Sequence, residues 1–279
     1  MPKNSELLTK LDKRSLYLRS LVVDCLLGGG RGHMGSAMSL IEILRVLYDE
    51  ILKFNPKKPR DDDRDRLILS KGHGCLALYA ILSDKKFFNK NILKTSSRFN
   101  SILGGHPEYG KVPGVEASTG ALGHGPAIGA GMAMSAKLKN KKHKIFVIVG
   151  DGEINEGSFW ETSMMVAKHK LSNFNVLIDY NKIQSYGKTK EVLNLEPLKE
   201  KLKSFGYNVL EVNGHDVKKL TIQINKMCKS KQKPSTLICH TIKGKGFPFA
   251  ENNPKWHHKN FFSNDEIYEI NKYIDRRKA

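Results

Sequence analysis

The feature that most constrains the fold is a series of short apolar runs that alternate with helical segments from residue 66 onward. The run from Ile145 to Val149 is apolar at every position. Strands of this kind have to be covered on both faces, which is typical of parallel strands connected by helices. The predicted strands are Arg66–Ser70, Lys144–Val149, Asn175–Asp179, Tyr207–Val212 and Pro234–Ile242. The sequence therefore predicts an α/β fold, a doubly wound and mainly parallel sheet with helices on both faces.

Apolar residues at helical spacing predict a helix over Ser5–Leu27 that stops at the glycines 28–30. The other predicted helices are Ser39–Glu50, one starting at Gly74, Pro126–Lys139, Ser158–Lys170, Lys199–Phe205, Val217–Cys228 and Asn264–Arg277. The chain holds no internal repeat and no low-complexity linker. We expect one diphosphate-binding domain over residues 1–279, with a helical extension over 1–27 and a C-terminal helix within 263–279.

Composition places the chain among globular proteins, since 39% of its residues are hydrophobic and 27% are charged. No apolar run approaches the roughly 20 residues of a membrane-spanning helix, and the N-terminus has no signal-peptide pattern. The four cysteines form no CxxC pair, which favours free thiols in a reducing compartment. We therefore predict a cytoplasmic protein with no membrane partner.

The formal net charge of +19 raises the question of nucleic-acid binding. The lysines are spread along the whole chain, and no aromatic residues interleave with them as a base-stacking surface requires. We therefore expect no nucleic-acid partner. The charge instead favours anionic substrates such as sugar phosphates, or an acidic partner subunit.

Polar residues follow two successive predicted strands at their carboxyl ends. Gly150-Asp151-Gly152 comes directly after one strand and Asn181 directly after the next. Because the carboxyl ends of parallel strands meet at one edge of the sheet, we expect these residues to converge. Asp151, Asn181 and a carbonyl near Ile183 provide the oxygen ligands that a magnesium-bound diphosphate needs. An Asp-Gly pair after a strand is also a common turn. We favour a ligand site because Asn181 follows the next strand.

This arrangement resembles the thiamine diphosphate signature, and six further blocks resemble those of transketolases in the same order. The blocks span nearly the whole chain, from about residue 10 to residue 262. They are Gly32-His33-Met-Gly35, Ser70-Lys-Gly-His73, Gly104-Gly-His-Pro-Glu108, Pro113-Gly-Val-Glu116, Thr119-Gly-Ala-Leu-Gly-His-Gly125 and Trp256-His257.

The resemblance implies a role for each matching residue. Four histidines match groups around the donor sugar and the cofactor: His33 and His106 near the donor hydroxyls, and His73 and His257 near the diphosphate and thiazolium. Gly120 and Leu122 match backbone contacts to the aminopyrimidine, and Gly150, Gly152 and Asn181 lie in the diphosphate signature. Asp151, Asn181 and the Ile183 carbonyl match ligands of Mg²⁺, Ca²⁺ or Mn²⁺. Glu156 and Glu161 match carboxylates of a proton-relay network at a subunit interface, although Glu156 also suits the positive end of a helix.

Four further histidines have no matching context. His143, His169, His215 and His258 are expected to be surface or satisfied core residues. Two positions depart from the common pattern: Ala121 replaces a proline or serine, and His124 stands where glutamine is common. Neither change removes a side chain with an assigned role, but His124 could alter donor contacts.

The activity that the resemblance implies is transfer of a two-carbon ketol unit from a ketose phosphate to an aldose phosphate. Full transketolases continue with a second domain that binds the aminopyrimidine and carries the activating glutamate. We expect no such domain after Phe262, because the segment Asn264–Arg277 is predicted to be a short charged helix. The prediction is therefore an N-terminal subunit that needs a separate C-terminal subunit, in a heterotetramer with two copies of each. The residues that recognise the phosphate are expected on that partner.

Several alternatives stay open. The Gly-Asp-Gly and Asn elements also occur in alpha subunits of thiamine-dependent 2-oxoacid dehydrogenases, although the blocks at residues 70–73 and 105–108 weigh against that family. Deoxyxylulose phosphate synthase is a longer chain, and a non-catalytic homologue would not need the placed histidines. Ordinary pentose phosphate exchange is the default pathway, with a specialised sugar pathway as the alternative.

Overall fold

The computed structural model describes residues 9–275, and the side chain of residue 275 lies outside that description. The parts of the predicted helices over residues 5–8 and 276–277 fall outside the described residues. The single domain over residues 1–279 stays a prediction for the same reason. No helix within residues 9–275 is long and apolar enough to cross a membrane.

A five-stranded sheet, parallel throughout, forms the centre of the molecule, in the order β1-β2-β3-β5-β4. The strands are β1 Arg66–Leu69, β2 Ile145–Gly150, β3 Phe174–Tyr180, β4 Asn208–Asn213 and β5 Ser235–His240. The helices are α1 Lys13–Gly29, α2 Met34–Ser39, α3 Ile41–Val46, α4 Cys75–Asp84, α5 His124–Leu138, α6 Gly157–Lys168, α7 Thr189–Val192, α8 Leu198–Ser204, α9 Val217–Met227 and α10 Asn264–Asp275. The predicted fold class is confirmed.

Alternate residues of each strand enter two separate apolar layers. In β2, Phe146 and Ile148 pack into the layer of α1–α4, α9 and α10, whereas Ile145, Val147 and Val149 pack into the layer of α5, α6 and α8. Successive side chains of a strand point to opposite faces, so a fully apolar strand serves both layers at once. This is why the continuous apolar runs in the sequence predicted a sheet covered on both sides.

The predicted helix over Ser39–Glu50 is interrupted. The chain forms α2 first, turns at Leu40 and continues as α3, which ends in a π-helical turn over Leu47–Ile51. The Ser39 hydroxyl donates its single proton to Asp179 Oδ2 at 2.6 Å and lies 3.0 Å from the Ser36 carbonyl, so this side chain ties the end of α2 to β3. The interruption places His33 and α2 against the carboxyl edge of the sheet.

Candidate active site

The aspartate that follows β2 lies buried at the carboxyl edge of the sheet. Asp151 accepts hydrogen bonds from the backbone N–H of Gly152 at 2.8 Å, from the backbone N–H of Lys182 and from the Thr189 hydroxyl at 3.3 Å. Burial, together with the nearby Asp179 carboxylate, raises the pKa of Asp151 to about 6. A carboxylate held in this way is suited to a cation, which would favour its charged form.

Asn181 and Ile183 lie beside Asp151, after β3. Asn181 Oδ1 accepts from the Ile183 backbone N–H at 3.1 Å, and the Ile183 carbonyl accepts from Lys243 Nζ at 3.0 Å. The structure thus brings together one carboxylate, one amide and one carbonyl, as the sequence predicted. Residues 9–275 contain no group of three or more His, Cys, Asp or Glu residues that could hold a metal ion. The three oxygens here are of the kind that Mg²⁺ takes when phosphate oxygens and water complete the octahedron.

Two buried lysines and an aspartate at this edge were not predicted. Lys71 is only 2% exposed, and its Nζ donates to Asp179 Oδ2 at 2.5 Å. Asp179 also accepts from the hydroxyls of Ser39 and Thr241. Lys243 is 3% exposed, and burial together with the charge of Lys71 lowers its pKa to about 8. Two buried ammonium groups next to these oxygen ligands give the edge the charge expected of an anion site.

The four predicted histidines form one cluster with His33 at its centre. The His33 ring centroid lies 5.4 Å from that of His73, 6.2 Å from His106 and 5.4 Å from His257, and His73 lies 5.7 Å from His257. Burial and the neighbouring imidazoles lower the pKa of His33 to about 3, and burial and Lys243 lower the pKa of His257 to about 4. At neutral pH both rings are therefore uncharged, and each carries one donor and one acceptor nitrogen.

Contacts with the scaffold fix the segments that carry these histidines. Backbone hydrogen bonds in both directions between Gly32 and Lys259 tie the His33 segment to the His257 segment. The Tyr79 hydroxyl lies 2.8 Å from the His106 carbonyl and 3.1 Å from the Gly104 carbonyl, so α4 holds the loop of His106.

The glycine at position 120 allows a close approach to that loop. Gly120 has a φ of +143°, and a Cβ there would lie 2.9 Å from the His106 ring. Leu122 is half-buried on the same segment. A glycine is required here because a side chain would be strained and would displace the histidine.

Glu153, which the sequence did not single out, joins the glycine-rich segments. Its carboxylate accepts from the backbone N–H groups of Gly123 and Gly150, each at 3.0 Å, and from the Ser70 hydroxyl. One buried side chain thus fixes the ends of β1 and β2 and the start of α5 relative to each other. Its position two residues after Asp151 is the only sequence signal that could have identified it.

Glu156 and Glu161 lie apart from the cluster. Both are exposed, at the start and on the surface of α6, and neither forms an ion pair or a side-chain hydrogen bond within residues 9–275. Their role at a subunit interface stays a prediction.

The four histidines expected to lie at the surface or in the core have different surroundings. His215 is a satisfied core residue, bonded to Glu42 at 2.8 Å, and His143 and His169 lie outside the cluster. His258 is exposed as expected, but its ring lies 4.3 Å from that of His33, the shortest distance in the cluster. Nothing in the sequence indicates this proximity, because it depends on the pairing of Gly32 with Lys259.

Several buried polar atoms around the site lack a partner in the described part of the chain. They are Ser36 Oγ, Gln184 Nε2 and His257 Nδ1. Of ten buried side-chain atoms without a partner among the described residues, these three lie beside the oxygen set, where a polar ligand would pair them. Together with the oxygen set and the two lysines, these atoms fit a metal-bound diphosphate.

Comparison with known proteins agrees with this geometry. The family model described as "Transketolase, thiamine diphosphate binding domain" matches residues 12–275. One subunit of the apulose-4-phosphate transketolase of Phocaeicola vulgatus is 40% identical over 248 residues, covering 89% of this chain and 88% of the relative. The 6-deoxy-6-sulfo-D-fructose transketolase subunit SqwG of a Clostridium species is 36% identical, covering 88% and 90%.

Solved structures give the same result. The transketolase of Campylobacter jejuni superimposes with a TM-score of 0.88 at 33% identity, covering 95% of this chain. This chain spans only 42% of that protein's length. The predictions of a transketolase-type enzyme, of its fold and of thiamine diphosphate with a divalent metal ion are confirmed. The chain belongs to the transketolase family, as a thiamine diphosphate-binding domain of that family.

Proposed function

We propose that the chain is the N-terminal subunit of a split transketolase that moves a two-carbon ketol unit from a ketose phosphate to an aldose phosphate. The observation that carries the proposal is the histidine cluster around His33 beside the oxygen set of Asp151, Asn181 and Ile183. A diphosphate cofactor held by the oxygen set would lie next to imidazoles that can bind sugar hydroxyls.

We infer that Asp151, Asn181 and the Ile183 carbonyl bind the divalent ion. In that arrangement Lys243, which now donates to the Ile183 carbonyl, lies close enough to neutralise a phosphate oxygen. We place Gly152 at the diphosphate because its lack of a side chain allows a close approach: its N–H donates to Asp151, and a Cβ there would lie 2.9 Å from the Gln184 side chain. When bound, thiamine diphosphate supplies the nucleophilic carbon and the electron sink for breaking and forming the carbon–carbon bond.

The histidines orient the sugar and accept or donate protons at its hydroxyls. His106 is exposed and His33 is half-buried, and both suit the donor hydroxyls. His73 and His257 are half-buried beside the lysines, and His257 Nε2 is bonded to the Ser185 hydroxyl at 2.9 Å, which leaves Nδ1 for a ligand. Uncharged imidazoles can exchange protons with hydroxyl groups without holding a fixed charge in the site.

The proposed partner is a separate C-terminal subunit that supplies the activating glutamate, two copies of each chain forming a heterotetramer. Support comes from three relatives that are named as transketolase subunits, of whose lengths this chain covers 88%, 82% and 90%. Glu156 and Glu161 are exposed on α6 and would lie at that interface. The free cysteines fit a reducing compartment, and the cytoplasmic location stays a prediction.

The names of the relatives bear on the substrate. One names a ketose phosphate, apulose 4-phosphate, and another a sulfonated ketose. Both substrates carry an anionic end group on a ketose. We propose a donor of this class, with ordinary pentose phosphates as the default and a specialised sugar as the alternative.

The test is to purify the chain with the product of the adjacent reading frame, Mg²⁺ and thiamine diphosphate, and to assay ketol transfer with a panel of ketose phosphates. We expect transfer by the complex and none by this chain alone, while calorimetry detects cofactor binding that requires Mg²⁺. Full turnover without any partner would refute the split-enzyme proposal. Decarboxylation of pyruvate by the complex, without ketol transfer, would assign the chain to the 2-oxoacid dehydrogenases instead.

A further inference from the structure

The segment that follows β3 carries two of the proposed metal ligands and begins with an unfavourable backbone conformation. We call residues 181–196 the ligand loop. Lys182, between Asn181 and Ile183, has a φ of +64°, in the left-handed region that residues with a side chain rarely adopt. In this conformation the Lys182 N–H donates to Asp151, and the Ile183 N–H donates to Asn181 Oδ1 at 3.1 Å. A strained turn of this kind persists only where the surrounding structure holds it.

Tyr180, the last residue of β3, contacts both ends of the ligand loop. Its hydroxyl donates to Glu196 Oε1 at 2.6 Å, and Lys182 Nζ lies over its ring, 5.7 Å from the ring centroid. The other carboxylate oxygen of Glu196 accepts from the Leu198 backbone N–H at 3.0 Å, which fixes Glu196 at the start of α8. The hydrogen bond from Tyr180 to Glu196 therefore joins residues that are 16 positions apart and closes the loop.

The ligand loop has few buried side chains of its own. Between Asn181 and Glu196 only Thr189 and Leu195 are buried. Tyr180, in contrast, is 5% exposed and packs into the apolar layer of α5, α6 and α8. A core side chain thus anchors a loop that lies mostly outside the core, and this anchoring reduces the number of conformations that the loop can adopt.

Neighbouring side chains hold the Tyr180 ring in turn. The His240 ring lies nearly perpendicular to it, with the two ring centroids 5.4 Å apart. His240 Nε2 is bonded to Glu211 Oε2 at 2.9 Å, and Glu211 Oε1 lies 2.9 Å from Lys199 Nζ on α8. The ring, its hydroxyl and the carboxylate that accepts from it are therefore all fixed by contacts outside the metal site.

We propose that Tyr180 is a positioning residue for cofactor binding, which holds the ligand loop so that Asn181 and Ile183 already lie beside Asp151 when the metal and the diphosphate bind. The inference rests on the proposed function, because that function assigns the metal to these residues. Tyr180 acts through Asn181, which follows it in the chain, and through Glu196 at the far end of the loop. A loop that is held in its binding conformation loses less entropy when the ligand binds, so the affinity is higher.

The test measures binding of thiamine diphosphate in the presence of Mg²⁺ by calorimetry, on the complex with its partner. Tyr180→Phe keeps the ring and removes the hydroxyl that closes the loop. The Kd for the cofactor should rise about three- to tenfold, the effect expected for the loss of one hydrogen bond. The kcat at saturating Mg²⁺ and cofactor should stay within about twofold of wild type, because the Tyr180 side chain lies outside the proposed ligand set. Glu196→Gln keeps an acceptor for the hydroxyl and should therefore raise the Kd less than Glu196→Ala does.

Tyr207→Phe is the matched control. Tyr207 is 3% exposed in the same apolar layer, and its hydroxyl donates to Ser163 Oγ at 3.2 Å, so this variant also loses one buried hydrogen bond. Both variants should lower the midpoint of thermal unfolding of the cofactor-free complex to a similar extent, but only Tyr180→Phe should raise the Kd. An unchanged Kd in Tyr180→Phe, or an equal rise in the two variants, would overturn the proposal. A wild-type complex that binds no thiamine diphosphate with Mg²⁺ would instead refute the proposed function.

Discussion

Two buried polar clusters lie close together in this molecule and differ in whether all of their polar atoms have hydrogen-bond partners. The first, which we call the core cluster, consists of Arg19, Glu42 and His215 on the α1–α3 side of the sheet. Arg19 donates to both oxygens of Glu42 at 2.6 and 3.1 Å, and His215 Nδ1 lies 2.8 Å from Glu42 Oε2. His215 Nε2 accepts from the Ile242 backbone N–H at 2.8 Å. Every side-chain polar atom of these three residues has a hydrogen-bond partner within the described chain.

The active-site cluster, by contrast, is incomplete. Ser36 Oγ, Gln184 Nε2 and His257 Nδ1 are buried without partners in the described chain, and Asp151 has a raised pKa because burial and Asp179 outweigh the nearby Lys71. The satisfied cluster stabilises the fold, and the unsatisfied one is built for a ligand. The two are joined by the segment after β5, because His215 holds Ile242 and the next residue is Lys243 of the site. The core cluster thus helps to position Lys243 in the active-site cluster.

The largest effect is expected where the site holds its metal. Asp151→Asn removes the only carboxylate of the proposed ligand set and should therefore weaken metal binding. If the metal stabilises charge by about 4 kcal/mol, its loss should lower the activity roughly 1000-fold. Calorimetry should show loss of Mg²⁺-dependent cofactor binding. The free energy of unfolding should change by less than about 2 kcal/mol, because removal of a charge that burial and Asp179 disfavour offsets the loss of one hydrogen bond from a backbone N–H. A variant that is unstable as well as inactive would show that Asp151 stabilises the fold as the core cluster does.

Glu42 should behave in the opposite way. Glu42→Gln leaves the buried Arg19 guanidinium without its charge partner, which should lower the free energy of unfolding by about 3–5 kcal/mol. Denaturant unfolding measures this, and residual folded protein should still bind cofactor. Glu191→Gln is the control, because its exposed pairing with Lys188 is worth less than about 1 kcal/mol. A tolerated Glu42→Gln with abolished cofactor binding would assign the core cluster to the site.

The same variant has a pH signature. Burial acts to raise the pKa of Glu42, but Arg19 and the hydrogen bond from His215 outweigh it and hold that pKa well below the usual range. A carboxylate with a lowered folded pKa stabilises the protein above its unfolded value of 4.5, and this contribution disappears as the pH falls. The stability difference between wild type and Glu42→Gln should therefore be largest near neutrality and shrink below pH 4.5.

His33 should make a smaller contribution to the pH dependence of stability, and here the group with the lowered pKa is a base rather than an acid. Its pKa is lowered from 6.5 to about 3, so the unfolded chain binds more protons between those values and stability falls on acidification. Allowing for partial exposure, wild type should lose about 1 kcal/mol more than His33→Gln between pH 7 and pH 5. Unfolding at the two pH values measures it. His169→Gln, at an exposed histidine outside the cluster, should follow wild type, and a His33 variant that does the same would contradict the proposed environment.

Sequence alone predicted the sheet and the convergence of Asp151 with Asn181, because apolar runs and the residues that follow them are local patterns. It did not predict α2, which has only six residues and too few turns to show a helical period. Lys71 and Lys243 were missed because a buried lysine is identical in sequence to an exposed one, and its burial depends on Asp179 and on carbonyls from distant segments. His258 was missed for a similar reason, since only the Gly32–Lys259 pairing brings it to His33.

The smallest effect is expected for Tyr79, a core residue of α4 that holds the loop of His106. Tyr79→Phe removes the hydroxyl that holds the carbonyls of His106 and Gly104, a loss of about 1 kcal/mol. Because the loop rather than the imidazole changes, KM for the donor should rise about fivefold while kcat stays near wild type. Tyr109→Phe is the control, since that ring is exposed on the same loop and its hydroxyl has no bond in the described chain. A fall in kcat with an unchanged KM would show instead that Tyr79 affects the chemical step. Its role would then go beyond fixing the position of the His106 loop.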